Sequence, residues 1–263
     1  MTNPFAVINA HGEADTRGVT LALPIDRVRN LLPDGLELCP QEVTPKGTHP
    51  VIVFFQDMFR VVLSVPTLLP SRTYREYCMG VPFSCISTRS ITPGYPGPYF
   101  FMPKLYLDDP WPTITGVLGW GFPKRFASMM VTAERYDVSD LPGRRLTSLS
   151  WKPDSGGNYR PVANWPNFAP IRAMLDQPLI SMAPASLGPF FILSDFDRNW
   201  DAALVAPMQT ALDVDIEFVP GFQPGRYPAS DWSPGIDGSV LGSYDLRVPW
   251  RLSLPYPPLF RFR

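Results

Sequence analysis

Proline and glycine constrain this chain more than any other feature. It holds 33 Pro and 19 Gly among 263 residues, about one residue in five. Each proline inside a helix costs about 3 kcal/mol, which argues against an all-helical bundle. The prolines fall between short apolar runs rich in β-branched and aromatic residues, the pattern of a strand-rich protein with many turns. Hydrophobic residues make up 45% of the chain and charged residues 18%. That is enough to build a sizeable core and too apolar for a disordered chain.

Residues 18–25 (GVTLALPI) predict a strand, followed by Asp26 as the N-cap of one or two helical turns that stop at Pro33-Asp34-Gly35. Residues 50–65 predict one long or bulged strand, 81–90, 99–107 and 126–137 further strands, and 145–152 an antiparallel strand with one face in water. Residues 92–98 (TPGYPGP) read as a turn and 153–170 as a long loop. Residues 189–195, 214–219 and 244–254 predict later strands, and 200–212 helical turns interrupted by Pro207. No repeat, linker or composition shift marks a boundary. The chain 1–263 therefore reads as a single domain, with a Pro-rich C-terminal extension from about residue 221. The fold class is α+β, mostly antiparallel β with a few short helices. A curved sheet or barrel would close the interior and remove exposed edges.

Charge and rare residues narrow the chemistry. The net charge is −1 and no basic block stands out, so a nucleic-acid partner is not expected. No run approaches the ~20 apolar residues that span a membrane. The first residues lack the basic-then-apolar pattern of a signal peptide, and a soluble cytoplasmic protein is the expectation. The only histidines are His11 and His49, too few for a His-rich metal site. No G-x-S-x-G elbow is present. Asp108-Asp109 before Pro110 reads as a turn cap. Cys39, Cys78 and Cys85 are odd in number and form no C-x-x-C, which predicts small buried apolar residues rather than a disulfide framework.

The four lysines are Lys46, Lys104, Lys124 and Lys152. Of these, Lys124 alone follows an apolar Gly-x-Pro turn and precedes a fixed cation, in Gly119-Trp120-Gly121-Phe122-Pro123-Lys124-Arg125. An exposed lysine, with a pKa near ~10.4, is a poor nucleophile at neutral pH. Burial and a neighbouring positive charge both lower that value. Trp120 and Phe122 supply an apolar wall, and Arg125 supplies the cation. A neutral amine in such a place can add to a ketone and form a Schiff base. Glu76, flanked by Tyr74 and Tyr77, predicts a partly buried carboxyl suited to proton transfer. Gln56 lies in an apolar strand, where an amide is either structural or substrate-binding. The aromatic content of 13% also suits a non-catalytic β-barrel that binds a small apolar ligand.

Gly121-Phe122-Pro123-Lys124-Arg125 resembles the Gly-x-Pro-Lys-Lys-type segment of the acetoacetate decarboxylase-like superfamily, whose first lysine forms the Schiff base. Acetoacetate decarboxylase is itself the reference case of a lysine activated by a neighbouring cation, so that mechanism comes with the resemblance. Thr73-Tyr74-Arg75-Glu76-Tyr77, followed by Val81-Pro82-Phe83-Ser84, resembles the family's Tyr-x-Glu segment. This implies that Glu76 is the acid/base. Weaker matches at Asp26–Pro33 and Ala206-Pro207-Met208 extend the resemblance over roughly residues 18–220. It implies a sheet closing into a cone-like β-barrel, a homo-oligomer, and chemistry without a metal or organic cofactor. Lys124, Glu76 and Arg125 are the implied catalytic residues, with Gln56, Tyr74, Trp120 and Phe122 binding substrate.

Two positions depart from the family pattern. Arg125 stands where the decarboxylases have a second lysine, and Gln56 stands where they carry a further glutamate. These departures favour a pyruvate-type aldolase-dehydratase or hydratase acting on a small oxo acid, with an aldehyde as co-substrate. Decarboxylation of acetoacetate or a related 3-oxo acid is the alternative.

Overall fold

The computed structural model describes residues 9–64, 70–87, 97–152, 158–165, 168–183, 190–228 and 240–258. The first strands are β1 (Asn9–Pro24), β2 (Leu36–Leu38), β3 (Thr48–Leu63), β4 (Arg72–Ile86) and β5 (Tyr99–Leu107). Then come β6 (Lys124–Phe126), β7 (Ser128–Val131), β8 (Arg135–Ser139), β9 (Arg145–Trp151) and β10 (Arg160–Pro161). The later strands are β11 (Leu179–Met182), β12 (Phe191–Ser194), β13 (Phe196–Arg198), β14 (Leu204–Met208), β15 (Thr210–Val214), β16 (Gly225–Pro228) and β17 (Val240–Ser253). Three α-helices interrupt them: α1 (Ile25–Arg29), α2 (Pro110–Trp120) and α3 (Ala169–Leu175).

Among the described residues the strands form two sheets. The larger runs β10-β14-β17-β1-β3-β4-β5-β11-β12, with β2 beside β4, β6 beside β5 and β13 beside β17. The smaller runs β16-β15-β9-β8-β7. All pairings are antiparallel except those of β5 with β6 and with β11. The expected closed barrel is not detected. The pairing is a path with two ends, and among the described residues the links back from the β12 end are the short pairing of Phe196–Arg198 with Leu252–Trp250 and the single bridge Leu193↔Tyr256. Four-residue strands at that end leave too few ladder bonds for a full seam.

Side chains alternate across a strand, so register decides which residues meet. Thr16 lies opposite Gln56, and Gln56 opposite Glu76. These three share one face of the large sheet. That face packs with Phe54, Met58 and Leu105 against Phe168, Ile171 and Met174 of the α3 region. On the other face, Phe55, Tyr77 and Met79 pack against Tyr136, Leu149 and Leu212 of the smaller sheet. At roughly 1.5–3 kcal/mol per fully buried large apolar side chain, both layers hold the large sheet in place.

Several local expectations change. The segment 18–25 is the end of a much longer strand, β1. Asp26 lies inside α1, whose N-cap is Pro24. Residues 126–137 are divided among β6, β7 and β8. The helical turns expected over 200–212 are instead β14 and β15, with Pro207 opposite Tyr244. β9 buries Leu146 through Leu149 consecutively rather than in alternation. The expected turn at 92–98 lies mostly outside the described residues, as does part of the 153–170 loop, which contains the start of α3. The stretch from residue 221, expected as an extension, supplies β17, which pairs with β1 from Asn9↔Ser253 to Leu21↔Val240.

The cysteines also differ from expectation. Cys39 and Cys85 form a disulfide, with a Cα–Cα distance of 5.3 Å, and Cys78 is free and buried. The β2–β4 register brings them together by setting Glu37 opposite Cys85. A disulfide sits more easily with an oxidising compartment than with a reducing cytoplasm. Among the described residues, no helix is long and apolar enough to cross a membrane.

Candidate active site

The lysine segment is built by a helix stop and a strand start in consecutive residues. Asp109 caps α2 by accepting the Trp111 N–H at 2.8 Å, and Pro110 occupies the first turn, where no N–H is needed. The helix ends at Gly121, in the left-handed region with φ 65°. There the Gly121 N–H donates to Val117 O and the Phe122 N–H to Gly116 O, both at 3.2 Å. A side chain at Gly121 would also strike the Met182 carbonyl oxygen, 2.0 Å from an added Cβ. Pro123 prevents the helix from continuing. β6 then pairs in parallel with β5, setting Lys124 opposite Leu105.

This register delivers the lysine to Glu76. Lys124 Nζ lies 3.4 Å from Glu76 Oε2, and their side chains are only 10% and 9% exposed. The ammonium also stands 5.9 Å from the centre of the Phe122 ring. The stem of Lys124 runs against Gly116, where an added Cβ would fall 2.4 Å from its Cδ. Gln56 accepts a hydrogen bond from Thr16 Oγ1 at 3.1 Å and donates to Cys78 Sγ at 3.3 Å. Burial pushes the Cys78 thiol well up and Glu76 adds to the rise, while Gln56, Lys124 and Arg198 oppose it. Burial, and then the charges of Glu76 and Asp109, raise the Tyr74 hydroxyl well above its ordinary value.

Two cavities meet at Lys124. The first, of about 70 Å³, is lined by Gln56, Tyr74, Glu76, Phe122, Lys124 and Arg198 within a largely apolar wall. A single water needs about 10–15 Å³ on this measure, so the space suits a small organic acid. The second, also about 70 Å³, is lined by Val61, Leu63, Trp111, Gly116, Trp120 and Lys124 among others. Tyr74, Phe122, Lys124, Trp250 and Leu252 belong to both walls.

The structure therefore brings six of the seven expected residues around one amine. Lys124, Glu76, Gln56, Tyr74 and Phe122 line the first cavity, and Trp120 lines the second. Trp120 is fixed by donating its indole N–H to Ser253 O at 2.8 Å. Arg125 is the exception. Strand alternation turns it to the opposite side of β6 from Lys124, where it is exposed, lies opposite Tyr106 and lines neither cavity. Its charge bears instead on Lys104, which burial and then Arg125 hold below the ordinary lysine value.

The second basic side chain in the cavity wall is Arg198, which sequence reasoning missed. Burial lowers its guanidinium to about 10. The available signal was an arginine set between Phe196 and Trp200, directly after an apolar strand. Arg72 and Arg75, on β4, pair with Asp109 at 3.6 Å and with Asp57 at 3.3 Å.

Comparison with known proteins gives a consistent picture. The sequence profile described as Acetoacetate decarboxylase (ADC) matches residues 4–167. No match is found among curated proteins. Among solved structures, the enduracididine biosynthesis enzyme MppR, complexed with the condensation product of pyruvate and imidazole 4-carboxaldehyde, is 15% identical with a TM-score of 0.56. That match covers 98% of this chain and 91% of MppR. Acetoacetate decarboxylase from Legionella pneumophila subsp. pneumophila str. Philadelphia 1 is 12% identical with a TM-score of 0.60, over 95% of this chain and 86% of its own. An acetoacetate decarboxylase-like enzyme from Sphingomonas wittichii RW1 is 12% identical with a TM-score of 0.57, over 96% and 94%. At these identities the structural likeness establishes the fold alone.

Proposed function

The chain belongs to the acetoacetate decarboxylase family, and from that premise we propose that it is a Schiff-base lyase of small oxo acids, most specifically a pyruvate-type aldolase-dehydratase. The observation that carries this reading is the Lys124–Glu76 pair, 3.4 Å apart and almost fully withdrawn from water. Glu76 takes the amine proton, and the Lys124 nitrogen adds to the ketone carbon of the substrate. Glu76 returns that proton to the departing hydroxyl, and loss of water leaves an iminium, an electron sink. With pyruvate, Glu76 then removes a methyl proton and the electron pair becomes an enamine. The enamine carbon attacks an aldehyde, water is lost, and hydrolysis of the imine restores the lysine.

The junction of the two cavities supports the condensation over simple decarboxylation. A two-carbonyl reaction needs room for a second component beside the same nitrogen, and Lys124 borders both spaces. The walls of the second cavity are mainly apolar and aromatic, which suits an aldehyde with an apolar or aromatic substituent. The decarboxylation of a 3-oxo acid would use the same iminium to accept electrons from the departing carboxylate. We read the whole chain as one domain acting as a homo-oligomer, without a metal or organic cofactor.

The test is reductive trapping. Pyruvate and acetoacetate are each incubated with the enzyme, borohydride is added, and the adduct is located by mass spectrometry while CO₂ is measured. The expected result is a pyruvate adduct on Lys124, absent in Lys124→Met, with no CO₂ from acetoacetate. No adduct from either acid, with the protein folded, would remove the Schiff-base reading. Rapid CO₂ release would replace the aldolase reading with the decarboxylase one.

A further inference from the structure

We infer that Arg198 is the residue that selects the substrate, by clamping the single carboxylate of a mono-oxo acid whose ketone faces Lys124. The inference rests on the Schiff-base reading of the site but uses different observations. Arg198 is in β13, opposite Trp250 of β17, and lines the first cavity. Its Nη1 donates to the carbonyl oxygens of Leu175, at the end of α3, and of Phe196, the latter at 3.5 Å. The guanidinium also lies 4.4 Å from the Phe196 ring centre. These contacts fix its direction without neutralising it.

Among the described residues no carboxylate forms an ion pair with Arg198. After burial, the groups that bear on its charge are Tyr244, Asp176, Cys78 and Asp197, of which only the two aspartates are carboxylates. Asp176 is engaged elsewhere, with Arg172 at 3.5 Å and the Trp200 indole N–H at 2.6 Å. Asp197 lies opposite Arg251 on the neighbouring strand. Among the described residues, Nε and Nη2 of Arg198 also have no hydrogen-bond partner, leaving the donors that would grip a carboxylate bidentately.

The charge balance of the cavity gives the ligand class. Its wall carries two basic side chains, Lys124 and Arg198, and one acidic side chain, Glu76. Since a buried charge without a partner is costly, the wall is complete when one anionic group enters. Cys78, Lys124 and Arg198 all line this one cavity of about 70 Å³. The two cations therefore stand around one small space, ketone at one and carboxylate at the other. A monocarboxylate fits this balance, and a second carboxylate would have no cation among these residues.

The test compares wild type, Arg198→Gln and Arg198→Lys with two ketones, pyruvate and its uncharged methyl ester, trapped on Lys124 by borohydride. In Arg198→Gln, the pyruvate concentration for half-maximal trapping rises about 10- to 100-fold, the loss of a charge-assisted hydrogen-bond pair. Trapping of methyl pyruvate stays at the wild-type level, and Arg198→Lys recovers part of the pyruvate affinity. Equal losses for both ketones, or no loss for pyruvate, would overturn the assignment. Oxamate, which cannot form the imine, is titrated in parallel by tryptophan fluorescence. If the wild type traps neither ketone but binds oxamate in an Arg198-dependent way, the Schiff-base reading fails and the carboxylate site stands. If oxamate binding is equal in wild type and Arg198→Gln, the carboxylate site fails on its own.

Discussion

The two faces of the large sheet carry charge on the same strands and treat it in opposite ways. On the outer face, Arg247, Asp15, Asp57 and Arg75 stand opposite one another in a single cross-strand row. Each cation there meets a carboxylate: Arg247 with Asp15 at 3.3 Å, Arg17 with Asp57 at 3.2 Å, and Arg75 with Asp57 at 3.3 Å. One residue along each strand, the inner face is largely apolar, and its charges are gathered at one place. There Glu76 meets Lys124, and among the described residues Arg198 has no acidic partner. A matched belt of half-exposed charges is a structural device worth about 0–1 kcal/mol per pair. An unmatched cation beside a buried amine–carboxylate pair is a binding site.

The same chemical change on the two faces should then have different consequences. Glu76→Gln keeps the side-chain volume and removes the proton carrier. Condensation activity, and exchange of pyruvate methyl protons with deuterium, should fall about 10²- to 10⁴-fold. Asp57→Asn removes a carboxylate only one residue from Gln56, yet on the other face. It should leave activity unchanged and lower stability by about 1–2 kcal/mol in denaturant titration. Comparable activity losses in both variants would break the distinction between the faces.

A subtler probe touches only the position of the amine. Gly116 faces the Lys124 stem, and a methyl group there needs the lysine to move, with Cδ at 2.4 Å and Cε at 2.6 Å from the new carbon. Gly116→Ala should cut kcat/KM about 10- to 100-fold through misplacement of the nucleophile. The same change should hold or raise the melting temperature, because alanine is favoured over glycine in a helix by about 1 kcal/mol. Loss of activity together with loss of stability would mean that the glycine serves packing rather than the lysine.

How much of this was legible in the sequence depends on distance along the chain. Gly121-Phe122-Pro123-Lys124 was readable because a helix cap and a strand start are written in adjacent residues. The pairing of Lys124 with Glu76 spans 48 positions and follows from the β4–β5–β6 register, which no local pattern encodes. Tyr74 and Tyr77 on either side suggested a partly buried carboxyl at Glu76, and the family resemblance gave it the acid/base role. Arg125 was assigned to the site from its adjacency to Lys124 and from the family's second lysine. With the strand beginning at Lys124, alternation turns Arg125 away from the cavity. Arg198 was hidden for the same reason as the Cys39–Cys85 bridge, since each is placed by a pairing between distant strands. The helical turns expected over 200–212 yielded to β14 because β10 and β17 pair with it on both sides.

The smallest effect on activity concerns a flaw within the matched belt. Asp245 lies opposite Arg17, and its carboxyl is raised to about 7, first by burial and then by Asp15, with the Tyr159 hydroxyl and Arg17 opposing the rise. Tyr159 donates to Asp245 Oδ2 at 2.7 Å, but among the described residues Asp245 Oδ1 and Asp15 Oδ1 are buried without a hydrogen-bond partner. An unfolded aspartate releases its proton near ~3.9. Between that pH and about 7 the folded state holds a proton that the unfolded chain gives up. Stability from this group is therefore fully present below the unfolded value and is lost as pH rises towards about 7. Asp245→Asn removes the titration, can still accept from Tyr159, and offers an N–H to Asp15. Thermal melts from pH 4 to 7 should show the variant gaining on the wild type as pH rises, by up to about 4 kcal/mol at the upper end, with trapping on Lys124 unchanged. A constant difference across that range would mean that Asp245 is already matched, and that the belt balances its charges more completely than its unpartnered oxygens suggest.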